Sequence, residues 1–185
     1  MKRIVLFGVV FALLLNPCLA LVDRSAEVAE LLAEIESASQ VQRVNAAKVI
    51  SRSGLQDEGL YRKIAEILQA GYTQEFEKDH IDEMAWMCKA LAASGDEQYR
   101  ELLDEVAMNA PSVKLQRYAS QSAELIEQYA HRSEILNASE SWDDQLTAEE
   151  NRLVNMLNSD DIALRRDAAK ILVRNVNTDG KVFSV

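Results

Sequence analysis

Glu75, Glu77, Asp79, His80, Asp82 and Glu83 place five carboxylates and an imidazole within nine residues. Carboxylate oxygens in such number suit a hard divalent cation such as calcium. The run lacks the glycine and the alternating ligand positions of a calcium-binding loop. It is therefore read as the acidic, solvated start of a helix, where negative charge complements the N-terminal dipole. His80 and His131 stand 51 residues apart without cysteine partners, which is no zinc-site spacing. Cys88 falls on the apolar side of a helical pattern, where a free cysteine acts as a small hydrophobe. No serine stands in a nucleophile elbow, and no glycine-rich loop is present to hold phosphate. Glu149 and Glu150 belong to a helix start and not to an acid/base pair. Asn137-Ala138-Ser139 matches a glycosylation acceptor, a triplet with meaning only in a eukaryotic secretory pathway. These readings predict no catalytic residue, no metal ligand and no cofactor, and a chain that is not an enzyme.

A second group of residues suits binding. On a wheel of 100° per residue, Leu164, Ala168, Leu172, Ala169 and Ile162 form one buried side, with Arg166, Lys170, Arg174 and Asp167 opposite. Lys48, Arg52 and Asn45 occupy the matching positions of an earlier segment. In between, Ile81, Met84, Cys88 and Leu91 face inward, and Trp86, Lys89, Glu83 and Asp82 face outward. Lys48, Arg52, Trp86, Lys89, Arg166, Lys170 and Arg174 are thus candidates for one partner-binding groove, with Trp86 as aromatic anchor. The alternative is that the cations form solvated pairs with nearby acids and Trp86 packs on a neighbouring helix.

The elements that must carry these residues are helices. Apolar residues recur at helical spacing, and no strand-length stretch alternates with period two. The pattern predicts helices near 24–37, 39–53, 57–70, 75–94, 96–109, 111–131, 147–158 and 161–175. Gly54, Gly71 and Gly95 stand where a helix C′ residue belongs, and Pro111 at a first turn. Ser39 with Gln42 and Thr147 with Glu150 spell capping boxes, and Asp57 and Asp96 are candidate N-caps.

Two segments repeat. Leu31–Ser53 and Leu153–Asn175 align without gaps at an offset of 122, with seven identities in 23 positions, among them Arg43/Arg165, Ala46/Ala168, Ala47/Ala169 and Lys48/Lys170. Met87-Cys88-Lys89 before Ser94-Gly95 is a weaker echo of Ala46-Ala47-Lys48 before Ser53-Gly54. Leu102–Leu125 has the same logic in an ambiguous register. Each unit reads as a helical hairpin, whose small residues admit close approach and whose apolar face needs a neighbour.

The pattern Ser159-Asp160-Asp161-Ile162-Ala163-Leu164-Arg165-Arg166-Asp167-Ala168-Ala169 resembles the HEAT-like (armadillo-type) repeats. The resemblance implies an all-α fold, a short right-handed α-solenoid of about four helical hairpins. It implies that Arg43 and Arg165 bond the loop of an adjacent repeat, that the second helices line a concave face, and that this face binds a protein or peptide. The unit around Trp86 departs from the pattern, lacking the Ala-Ala pair and the Arg. Some HEAT-like proteins resemble lyases acting on bilin chromophores, but that role needs a reactive groove residue, and the wheel buries Cys88.

Residues 1–20 carry Lys2 and Arg3, then an apolar run from Ile4 to Leu15, a break at Asn16-Pro17, and Cys18-Leu19-Ala20 with small residues at −3 and −1 of a cut. That is the layout of a secretory signal peptide. An uncleaved anchor, a buried N-terminal helix and a lipid anchor on Cys18 are the alternatives. The expected organisation is a signal peptide over 1–20, repeats over 21–136, a linker over 137–146, a final repeat over 147–177 and a loose tail over 178–185. Cleavage leaves 18 basic against 30 acidic side chains, a net charge of −12. Such a balance disfavours nucleic acid and anionic membrane surfaces, and predicts no stable membrane insertion once the leader is removed. One cysteine then remains, so no internal disulfide forms. The expectation is an exported adaptor or scaffold, periplasmic or secreted, that holds a protein or peptide partner, acidic in character. The second expectation is a structural subunit that self-associates through uncapped repeat ends.

Overall fold

The computed structural model describes residues 24–74, 77–139 and 142–174, with the backbone alone at Arg174. The leader and the tail of the sequence reading lie outside them. Among the described residues the protein is all-helical: α1 Ser25–Ile35, α2 Gln40–Ser53, α3 Glu58–Gly71, α4 Lys78–Ala92, α5 Arg100–Asn109 after a short 3-10 turn at Glu97–Tyr99, α6 Val113–Glu124, α7 Ile126–Asn137, α8 Ala148–Asn158 and α9 Ile162–Arg174.

Local chemistry sets most of the boundaries. The Asp57 side chain accepts from the Leu60 N–H, Asp96 from Gln98 N–H and Ser112 from Leu115 N–H, each answering a donor that a helix start leaves unpaired. Thr147 and Glu150 form a reciprocal capping box. Ser39 is the N-cap of α2 without a side-chain bond; the Ser37 hydroxyl bonds the Gln42 side chain instead, and also accepts from the Ser39 N–H at 3.1 Å. Gly54 and Gly95 take the left-handed conformation, φ 61° and 69°, that ends a helix. Gly71 does not. It is the last residue of α3, and a Cβ there would sit 2.7 Å from Met84 Sδ, so its use is close approach to α4. Pro111 stands one residue before the N-cap of α6, outside the first turn.

The helices from α1 to α6 pack as two rows. The first of each hairpin, α1, α3 and α5, touch in succession, as do the second, α2, α4 and α6, while each hairpin closes on itself. Leu31, Ile35, Ile50, Leu60, Ile64, Leu68, Met87, Leu91, Leu103 and Val106 share one core between the rows. Three of the helix starts repeat one bond. Arg43 Nη1 donates to Ser37 O at 2.8 Å, Gln116 Nε2 to Ala110 O at 2.7 Å and Arg165 Nη1 to Ser159 O at 2.5 Å, always six residues back. Three residues beyond each donor stand Ala46, Ala119 and Ala168, all without exposed surface. The arginine bonds thus close their own turn and not an adjacent loop. Arg43 also crosses to α4, where its guanidinium meets Glu83 at 2.5 and 3.1 Å while Gln40 donates to the same carboxylate at 3.1 Å. Glu83, expected outward, is 2 % exposed for this reason. A carboxylate with three donors tolerates burial that a lone one does not.

The expected helix over 111–131 is two helices. At Leu125 the N–H bonds Ser122 O, a tightened three-residue turn, and α7 then runs on to Asn137, beyond the helix end expected at 131. It docks on the two glycine corners: a Cβ at Gly54 would lie 2.7 Å from Leu136 Cδ1 and one at Gly95 2.5 Å from Ala130 Cα. The helices α8 and α9 then pair with each other and with α7 around a second core of Leu136, Leu153, Val154, Met156, Leu164, Ala168 and Leu172. Ile162 and Ala169, expected in the buried stripe, are exposed, because α9 packs chiefly on α8 and buries only the narrow line Leu164, Ala168, Leu172.

Candidate binding cleft

The final pair α8–α9 stands across from the row α2, α4, α6, and a cleft runs between them. It holds two adjoining hollows of about 370 and 420 Å³, which share Arg52, Leu136, Met156 and Ile171 in their walls. Hollows of this size accommodate a small ligand or a few side chains of a partner.

The row side of the cleft is built from α2, α4 and α6. Trp86 and Lys89 on α4 and Ala93 at its C-cap follow at spacings of three and four, so they share a face. Arg52 with Lys48 on α2, Tyr118 and Gln121 on α6, and Leu125 at the C-cap of α6 line the same walls. Lys89 Nζ lies 4.5 Å from the centre of the Trp86 ring and 4.8 Å from that of Tyr118, and Lys48 Nζ approaches Trp86 from α2 at 5.4 Å. These are cation–π distances. Trp86 and Lys89 are half-buried, as is Lys48, whereas Arg52 is exposed. Among the described residues none of Lys48, Arg52 and Lys89 has a carboxylate within 4 Å.

The far walls are better neutralised. Arg132 on α7 meets Asp161 at 3.2 Å, and Arg152 on α8 meets Glu27 at 3.5 Å. Glu27 is shared with Arg24, at 2.8 and 2.9 Å. Burial alone would raise the Glu27 carboxyl, but the hydrogen bonds and charges of Arg24 and Arg152 outweigh it and hold its pKa below 4.5. Arg152 is drawn down by its own burial and by Arg24 beside it, yet a guanidinium stays charged in a protein. Burial raises the Tyr129 phenol, which therefore stands as a neutral donor in the hollow of about 370 Å³. Among the described residues Asp167 is the single carboxylate in that hollow's wall.

The structure thus brings Lys48, Arg52, Trp86 and Lys89 together. It does not bring Arg166 and Lys170 to them: both are exposed and absent from the walls, where α9 presents Leu164, Asp167 and Ile171. Lys170 pairs with Asp167 at 3.3 Å. The Arg174 side chain lies outside the described residues. Sequence reasoning missed Tyr118, Gln121, Tyr129 and Arg132. For Tyr118 and Gln121 a signal existed, since aligning Ser112 with Ser39 puts them at the positions of Asn45 and Lys48.

The cleft has the equipment to hold an anion against aromatic faces. Cys88 lies outside its walls without exposed surface, its thiol pushed up to about 12 by burial. His80 Nε2 bonds Gly71 O at 2.9 Å, and His131 lies exposed beside Glu134. In the acidic run, Glu83 is held by Arg43 and Asp82 by Lys114, and no group of three or more His, Cys, Asp or Glu able to hold a metal occurs among the described residues. Glu75 lies outside them. No helix among the described residues is long and apolar enough to cross a membrane. No family model, curated protein or solved structure matches the chain.

Proposed function

We propose that this protein is an exported, non-enzymatic binding module built as a short HEAT-like α-solenoid, and that its cleft holds a carboxylate-bearing segment of a partner protein. One observation carries the reading. In a chain with 30 acidic and 20 basic side chains, Lys48 and Lys89 stand over Trp86 with Arg52 in the same cleft, and among the described residues none of the three cations has a carboxylate within 4 Å. A cation left unanswered at the edge of an aromatic-walled hollow gains more from an incoming carboxylate than one already paired. Arg and Trp are also the residue types that dominate binding energy at interfaces. The two-row packing and the recurring turn bond support the solenoid assignment, and the layout of residues 1–20 supports export.

Calorimetric titration of a twelve-residue Glu/Leu peptide into the protein tests the proposal. Lys48→Glu with Lys89→Glu should weaken binding at least tenfold, and binding should fall as salt rises. Binding unaffected by the charge reversal would refute the assignment to this cleft.

A further inference from the structure

The last of the described helices keeps an apolar stripe in solvent. On α9 Ile162 is 63 % and Val173 77 % exposed, and Ala169 between them is exposed as well. The three share a face at helical spacing, opposite the buried line Leu164, Ala168, Leu172. Cations border the stripe. Arg165, Arg166 and Lys170 are exposed, and Arg166 has no carboxylate within 4 Å among the described residues. Lys170 reaches Asp167 at 3.3 Å, a surface pair of small worth. The outer side of α9 is thus a basic, partly apolar patch on a chain with 30 acidic and 20 basic side chains.

The first of the described helices carries the complement. Ala26, Ala29 and Ala33 of α1 are exposed, on the side turned away from the buried Leu31 and Ile35. Glu30, exposed, and Glu34, half-buried, border them, and neither has a basic side chain within 4 Å among the described residues. The two faces follow one spacing with opposite sign: Ala26, Glu30, Ala33 and Glu34 on α1, and Ile162, Arg166, Ala169 and Lys170 on α9. Ile162 and Val173 project from α9, and the alanines of α1 leave room for them. None of these residues lines the cleft, so the two faces stand apart from the binding site described above.

We propose that copies of this protein associate head to tail, the outer face of α9 on one copy seated against the outer face of α1 on the next. Charge selects this pairing. Packing α9 on α9 would set Arg165, Arg166 and Lys170 against themselves, and packing α1 on α1 would do the same with Glu30 and Glu34. Like charges across a contact disfavour both. A contact between two different faces leaves one of each free, so it continues into chains or closes into a ring. One helix on one helix buries less than the ~1,600 Å² of a standard interface, which makes the association weak and concentration-dependent.

Sedimentation equilibrium of the protein as a cell matures it from the full chain tests the proposal with two variants. Glu30→Lys with Glu34→Lys reverses the face on α1; Arg166→Glu with Lys170→Glu reverses the face on α9. The expected result is an average mass that rises with concentration for the unaltered protein and stays at the monomer for each variant alone. An equimolar mixture of the two variants should associate again, since each reversed face then meets an opposite one. That rescue separates the contact from overall charge and from misfolding, which mixing would not repair. A monomer at every concentration, a variant that associates alone as strongly as the unaltered protein, or a mixture that stays monomeric would overturn the inference.

Discussion

At the scale of single residues, the strongest internal tie is the Arg43–Glu83 pair. Glu83 is 2 % exposed and takes two donor groups from Arg43 and one from Gln40, so α2 and α4 are clamped through one carboxylate. Removing one member of a buried pair strands the other charge. Arg43→Ala should therefore cost about 3 kcal/mol in urea unfolding, while Arg165→Ala, which loses a single turn bond at an exposed residue, should cost about 1 kcal/mol. Equal costs would contradict the clamp. Gly95→Ala is expected to cost about 2 kcal/mol or more, since it combines a positive φ with a clash against Ala130 backbone. Gly71→Ala meets only the end of a methionine side chain and should cost less. The Cys88 thiol, without exposed surface and raised to about 12, should react with a thiol reagent only as fast as the protein unfolds.

At the scale of elements, helix starts and ends follow short-range rules, and these were readable. Asp57, Asp96 and the Thr147–Glu150 box stand where a side chain meets an N–H two or three residues on. The break at Leu125 was not readable. No Gly or Pro marks it, and the periodic apolar residues run straight through. The departure of α7 is tied to remote contacts, the two glycine corners that receive Leu136 and Ala130. The same limit hid Glu83, whose inward side follows from an arginine 40 residues earlier. Half of the cleft was legible for a related reason. Lys48, Arg52, Trp86 and Lys89 fall on the outward faces that helical periodicity assigns them, but the placement of α8–α9 that turns Arg166 and Lys170 away is a tertiary choice. That fold-back has a pH signature. Glu27 faces Arg24 and Arg152, with Glu149 on the Arg152 side, and its folded pKa lies below its unfolded value. Its contribution is present above about pH 4.5 and lost as pH falls through the folded pKa. Amide exchange in α8, compared with that in α4 after correction for intrinsic rates, should rise on acidification below that point; parallel behaviour of the two helices would contradict the ionic tie.

At the scale of the whole molecule, two bodies of unequal cohesion face each other. The first six helices share one core, which Ile126 of α7 joins, while α8 and α9 share another with Leu136 of α7 and face the α2, α4, α6 row across a cleft. Regions with fewer buried apolar contacts open at lower free energy. Arg132→Gln with Arg152→Gln should speed amide exchange in α8 and α9 several-fold and leave α3 to α5 unchanged, whereas uniform change would mean one cooperative unit. The charge layout is the other whole-molecule feature, an acidic chain with an unanswered cationic seat around one tryptophan. The chain has two tryptophans, and Trp142 is absent from the cleft walls. The two indole N–H signals in a nitrogen-15 spectrum, assigned with Trp142→Phe, therefore report on the seat and on a control. Titration with the Glu/Leu peptide should shift the Trp86 signal and leave that of Trp142 in place. A stationary Trp86 signal in the presence of bound peptide would contradict the account.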